Sequence, residues 1–152
     1  MTNRHFAYWP PKVPFTFTRP ETSLWYNLEV SATRFPDKPA IVYYGGTLSY
    51  GELKTQSEIL AGYLRRECGV ERGDRVAIYM QNCPQFIIAF YAILRADAVV
   101  VPLNPMSVTG ELAYFLTDSG AKVLFAAQDR VDQVQPLLGA ELLRNVIVTT
   151  YS

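Results

Sequence analysis

Few side chains in this sequence carry reactive chemistry, and their spacing narrows what they can do. The single histidine, His5, lies in a proline-rich stretch, and Cys68 and Cys83 have no CxxC or metal-type spacing. Zinc chemistry and a Ser-His-Asp triad are therefore excluded within the chain. Cys83 precedes Pro84 at the start of an expected helix, where the dipole can lower a thiol pKa, but no histidine is near it in sequence to act as base. Asp97 and Asp118 could pair as acid and base, yet each falls at the end of an expected helix and reads more simply as a solvated charge. Asn82 is open to two readings, a ligand contact or a cap or turn residue ahead of Cys83-Pro84. Gly45-Gly46 lacks the context of GxGxxG or GxxxxGK[ST], so it reads as turn geometry rather than a phosphate cradle. No catalytic constellation is complete, and no catalytic or metal-binding residue is assigned.

The elements that must position these residues follow from periodicity. Residues 1–21 form a Pro- and aromatic-rich arm with Pro10, Pro11, Pro14 and Pro20, too interrupted for a helix. The arm is expected to lie packed across a domain surface, with a disordered arm as the alternative. From Thr22 a helix is predicted by Leu24, Leu28 and Ala32 and stopped by Pro36. A hairpin follows, 40–44 and 47–49, turning on Gly45-Gly46. Ser49 and Glu52 fit a capping box that opens a helix to about Cys68, with Leu53, Leu60, Ala61 and Leu64 on one face and a Lys54–Glu58 pair on the other. Strands are predicted over 74–80, 98–103, 122–127 and 145–149, alternating with helices over 84–95, 109–119 and 130–138, the last bent near Pro136.

Strands that are nearly continuous apolar runs, separated by helices, indicate parallel strands covered on both faces. The predicted fold class is α/β, a doubly wound and mostly parallel sheet with flanking helices plus an N-terminal β-hairpin. Ligands of such sheets bind beyond the carboxyl ends of the strands, which directs attention to Gln81-Asn82-Cys83, Asn104-Pro105-Met106-Ser107, Gln128-Asp129 and Thr150-Tyr151-Ser152.

Composition excludes several classes. Fourteen Lys plus Arg balance fourteen Asp plus Glu, and the only basic doublet is Arg65-Arg66, so the footprint of a nucleic-acid binder is lacking. The hydrophobic share of 49% argues against disorder. The longest greasy run, 86–94, is too short to span a bilayer, no apolar leader opens the chain, and the thiols are unpatterned. No transmembrane segment and a cytoplasmic setting are expected.

Six segments carry a family likeness by their order: Phe35-Pro-Asp-Lys-Pro-Ala-Ile, Leu48-Ser-Tyr-Gly-Glu-Leu, Arg72-Gly-Asp-Arg-Val-Ala-Ile, Gln81-Asn-Cys-Pro-Gln-Phe, Ala98-Val-Val-Val-Pro-Leu-Asn-Pro and Asp118-Ser-Gly-Ala-Lys-Val-Leu. Over 22–149 the chain resembles the start of the AMP-forming acyl-CoA synthetases of the adenylate-forming superfamily, most of all the bacterial long-chain fatty-acid CoA ligases.

The resemblance implies a two-step reaction. A carboxylate attacks the α-phosphate of ATP with Mg²⁺, pyrophosphate leaves, and the CoA thiol then displaces AMP. The fatty acid or other carboxylate, ATP and CoA are thus the partners implied for a full-length parent. The family's Ser/Thr/Gly-rich phosphate loop ending in Pro-Lys-Gly, its later acidic and aromatic motifs and its mobile C-terminal lysine have no counterpart here, so residues 22–152 are expected to be the first part of a truncated AMP-binding domain, inactive alone and binding no cofactor. Asn104-Pro105 favours the acyl-CoA branch over peptide-synthetase adenylation domains. The residue after Asn-Pro lies beside the CoA nucleotide in some members, which marks Asn104 and Met106 as a CoA-side loop, although Met106 cannot supply a charge there. Asp97 stands where the family commonly has Gly, so left-handed geometry is expected. The competing readings are a non-catalytic α/β binding or interaction module and a purely structural half-domain. Apolar surface on 86–94, Phe115 and Leu116 is expected to drive self-association, by domain pairing or exchange of the arm.

Overall fold

Apolar runs bracketed by capping and breaking residues set the order of elements in the computed structural model, which describes residues 4–138 and 142–151. Parts of the arm, of the domain and the Ser152 loop position fall on residues 1–3, 139–141 and 152, outside the described residues. Helix α1 (Leu24–Arg34) is capped by Ser23, whose hydroxyl accepts from the Tyr26 amide at 3.3 Å. Strands β1 (Pro39–Tyr43) and β2 (Gly46–Ser49) form the hairpin, and α2 (Tyr50–Arg66) follows directly. Then come β3 (Arg75–Tyr79), α3 (Pro84–Arg95), β4 (Val99–Pro102), α4 (Thr109–Ser119) and β5 (Val123–Ala127). A short α5 (Val131–Val134) lies between two 3-10 turns, the second, Gln135–Leu137, interrupting the helix at Pro136, and leads to β6 (Asn145–Thr149).

The main sheet has the order β4-β3-β5-β6 with every pair parallel. Side-chain alternation sends Val76, Ile78 and Met80 with Phe125 and Ala127 into one core, against Leu64 of α2 and Ile93 of α3. Ala77, Tyr79, Leu124 and Ala126 enter a second core against Leu112 and Leu116 of α4, with Val134 and Leu137. Both faces are covered, as the doubly wound class requires. A third cluster of Trp25, Leu28 and Leu53 seats α1 on α2, the hairpin and the outer side of α3.

Several expectations need correction. The α1 stripe begins at Trp25, not Leu24, which is exposed; the Trp25 ring covers Tyr91 and lies under the Arg95 guanidinium. In the hairpin the residues with positive φ are Tyr44 (45°) and Gly45 (84°), one step earlier than expected, and Gly46 pairs with Tyr43 inside the ladder. Helix α3 is less enclosed than its composition suggests: Ala89, Ala92 and Ile93 are buried, while Phe86, Phe90 and Leu94 are half-buried. Leu116 is fully inside, so it contributes nothing to an open patch. The arm does not pack across the domain. Its residues Arg4–Tyr8 form a 3-10 turn with no buried residue, and Phe6, Trp9 and Phe15 stack on one another instead.

The capping box at Ser49 is complete. The Ser49 hydroxyl accepts from the Glu52 amide at 3.2 Å, and the Glu52 carboxylate accepts from the Ser49 amide at 2.8 Å. That backbone hydrogen bond holds the Glu52 carboxyl below the usual carboxylate range, so the box is intact at neutral pH and weakens as pH falls through the lowered value. Ser49→Ala is expected to destabilise the chain by about 1 kcal/mol. It should appear as a lower urea midpoint with an unchanged slope.

Candidate functional site

Loops that follow parallel strands gather at the carboxyl end of a sheet, and here they enclose a crevice of about 650 Å³. Its walls come from the loop after β3 (Gln81, Asn82), the first turn of α3 (Phe86) and the loop after β4 (Asn104, Pro105, Met106). Leu103 continues the ladder by donating to the Ile78 carbonyl at 2.8 Å, which fixes where the second loop starts. Asn104 then folds that loop on itself: its side-chain oxygen accepts from the Met106 amide, and its carbonyl from the Ser107 amide, both at 3.0 Å. The oxygen is committed to the turn, so the carboxamide nitrogen is the group Asn104 can offer a ligand. Met106 is 81% exposed and brings a flexible thioether, not a charge, to the rim.

The loop is held from below by a residue that sequence reading passed over. Tyr79, fully buried at the end of β3, donates its hydroxyl to the Ser107 carbonyl at 2.5 Å. In the run Arg-Val-Ala-Ile-Tyr it reads as one more apolar core residue; the only signal is a phenol at the last strand position, where a buried hydroxyl must find an acceptor. Tyr151, in a loop that the sequence singles out by its position after β6, also uses its hydroxyl. Its hydroxyl accepts from the Gln81 amide at 3.4 Å, and burial pushes its pKa up, with Asp129 and Cys83 adding to the rise and the Gln81 contact opposing it. Together with Ile41, Tyr43, Leu48 and Ile88 it lines a neighbouring groove of about 540 Å³ between the hairpin and α3. Gln85 borders the same groove, and its side-chain oxygen is buried without a hydrogen-bond partner.

Of the remaining candidates Asn82 reaches the crevice wall, whereas Cys83, Asp97 and Asp118 do not. Asn82 sits in the bend before α3 without capping it; the cap position belongs to Cys83, which makes no side-chain cap. The Cys83 thiol is buried against Met80, 3.9 Å from its sulfur, in surroundings that suit packing. Asp97 and Asp118 precede β4 and β5 and so lie at the opposite, amino end of the sheet. Asp97 has the expected left-handed φ of 59°, but it is not merely solvated: its carboxylate is paired with Arg65 at 2.7 Å. Among the described residues no three His, Cys, Asp or Glu side chains are grouped to hold a metal ion, which agrees with the donor-poor lining of the crevice.

Replacing the Tyr79 hydroxyl tests how this wall is built. Tyr79→Phe leaves the Ser107 carbonyl buried without its donor and is expected to cost about 1–3 kcal/mol. Burial pushes the Tyr79 phenol above its usual value near 10, with Arg130 opposing. Because the folded state holds this proton more tightly than the unfolded chain, the unchanged protein should lose stability as pH rises beyond about 10. The Phe variant should lack that part of the loss, as urea titrations from neutral to alkaline pH would show.

Comparison with known proteins places this architecture. Residues 28–151 match the family described as AMP-binding enzyme. The chain is 39% identical over 118 residues to a long-chain-fatty-acid–CoA ligase of Bacillus subtilis, covering 78% of this chain and 21% of that protein. A long-chain-fatty-acid–CoA ligase of Salmonella typhimurium is 35% identical over 127 residues, 84% of this chain and 23% of its own length. Among solved structures, a long-chain-fatty-acid-CoA ligase from Archaeoglobus fulgidus superposes with a TM-score of 0.81 at 26% identity, over 88% of this chain and 28% of that one. The chain thus spans between a fifth and a quarter of the length of those two sequence relatives. With the parallel sheet, the hairpin and the family match all covering the same residues, this chain is a member of the AMP-binding enzyme family.

Proposed function

We propose that this chain is the opening part, residues 22–152, of the AMP-binding domain of an ATP-dependent fatty-acid CoA ligase, preceded by the arm of 1–21. The observation that carries the reading is the likeness to long-chain-fatty-acid–CoA ligases over most of the chain. In the full-length protein a fatty carboxylate oxygen bonds to the α-phosphorus of Mg-ATP and pyrophosphate departs. The sulfur of CoA then attacks the acyl carbonyl and AMP departs. Such steps rest on positioned amides and cations that stabilise phosphoryl and oxyanion charge.

This chain's own share is structural and recognitional. The crevice wall offers the Asn104 carboxamide nitrogen and the Met106 thioether at a rim suited to a large flexible cosubstrate such as CoA. It offers no glycine-rich loop joined to a helix and lysine, which phosphate recognition requires. We place the enzyme in the cytoplasm; among the described residues no helix is long and apolar enough to cross a membrane.

Titration calorimetry of the 152-residue chain with Mg-ATP is expected to show no binding in the micromolar range, and ATP incubated with fatty acid and CoA should release no AMP. Micromolar binding without turnover would instead support a non-catalytic binding module, and AMP release would show that the catalytic groups are present after all.

The apolar strip beside β6, lined by Leu60, Ile88, Ile147 and Val148, adjoins the groove of the hairpin. We assign self-association to the half-buried side chains of 86–94 and Phe115, Leu116 being enclosed, and extend it to this adjoining strip, with little repulsion to oppose it at zero net charge. Light scattering over a concentration series should show the mass rising above one chain while a hydrophobic dye binds. A constant monomer mass without dye binding would show the strip to be covered.

A further inference from the structure

None of residues 4–21 is buried. Among the described residues no hydrogen bond, ion pair or ring contact joins them to the rest; the arm's contacts are internal. Phe6, Trp9 and Phe15 form a small knot of rings, and the Trp9 indole N–H donates to the Val13 carbonyl at 3.1 Å. Around that knot the remaining apolar side chains point into solvent: Tyr8 is 90% exposed, Phe17 85% and Val13 45%. Rings left open to this extent mark an interaction surface.

The charge on the arm points to the partner. Arg4, Lys12 and Arg19 stand against the single carboxylate Glu21, whereas the chain as a whole has fourteen of each sign, leaving eleven basic and thirteen acidic residues for 22–152. Cations interleaved with Tyr, Trp and Phe are the composition that settles at a lipid–water interface, rings at headgroup depth and cations against anionic headgroups. The prolines weigh against a protein partner of the strand-pairing kind. Pro10, Pro11, Pro14 and Pro20 lack the N–H donors that pairing on a sheet edge needs, and they deny the arm the helical stripe that fits a groove. A bilayer surface demands neither. It also favours a ring whose own N–H is already bonded, since no unpaired donor is carried into the apolar layer. We propose that the N-terminal arm is a peripheral anchor for anionic membrane surfaces, a property independent of the ligase reading.

Vesicles of phosphatidylcholine alone and of phosphatidylcholine with one third phosphatidylglycerol provide the test. The full 152-residue chain is expected to co-sediment with the anionic vesicles, much less with the neutral ones, and to be released by salt. Each of Arg4→Gln, Lys12→Gln and Arg19→Gln should weaken partitioning about five-fold, the factor corresponding to about 1 kcal/mol per surface cation. In a Trp25→Phe background Trp9 is the sole tryptophan, and its emission should shift to the blue on anionic vesicles. Should that background fold poorly, co-sedimentation of the Trp9→Ser and Phe17→Ser variants, both exposed in the arm, gives the same answer by losing binding. Absence of binding to anionic vesicles, or binding unaffected by these arm variants, would overturn the proposal. So would an arm-dependent dimer that vesicles leave intact, since the arm's partner would then be a second copy.

Discussion

Everything in this molecule depends on the need to cover both faces of a parallel sheet. The two central strands, β3 and β5, are buried along nearly their whole length, and their backbones have no solvent to turn to. Alternation along β3 therefore assigns Val76, Ile78 and Met80 to the layer of α2 and α3, and Ala77 and Tyr79 to the layer of α4 and α5. A slip of one residue would send each set to the wrong side. The same register puts Tyr79 at the carboxyl end on the α4 side, where its hydroxyl reaches Ser107 and fixes the loop carrying Asn104 and Met106. The crevice is a by-product of a packing solution, with its two loops held by the phenols of Tyr79 and Tyr151.

Much of this was legible in the sequence. Continuous apolar strands, the Ser49 box, the interruption at Pro136 and the left-handed Asp97 follow from local rules that tertiary packing did not contradict. The errors arose where two local signals competed. Gly45-Gly46 offers two permissive positions, and the chosen turn uses Tyr44 and Gly45, because pairing Tyr43 with Gly46 preserves the ladder. Leu24 and Trp25 are adjacent apolar residues, and the larger ring took the inward place above Tyr91. In α3 composition alone implied burial all round, whereas the helix has packed neighbours on only part of its circumference. At the site, Asn104 and Met106 line the crevice, but the supporting Tyr79 was hidden because an aromatic ring in an apolar run declares nothing about its hydroxyl, and Tyr151 stood in a loop singled out by position without a role for its hydroxyl.

Charge is distributed in keeping with this division of labour. The wall of the crevice holds amides and a thioether among apolar residues, while ion pairs lie outside it: Arg65 with Asp97 at the amino end, Lys54 with Glu58 on α2, and Arg130 with Asp129 after β5. Exposed pairs of this kind add little to stability. The residues that line the crevice include no charged side chain.

The two borders of the sheet are not equivalent. Val99 and Leu103 donate inward to β3, so the alternate positions of β4, Val100 and Pro102, face outward, and one of these has no N–H. On β6, Asn145 donates inward to Lys122, which leaves the intact amides of Val146 and Val148 directed away from β5. A proline at an outward position blunts an edge without disturbing the ladder behind it. Extension of the sheet is thereby given a preference: a further strand finds two donors beyond β6 but only one beyond β4, so the architecture lengthens more readily on the β6 flank.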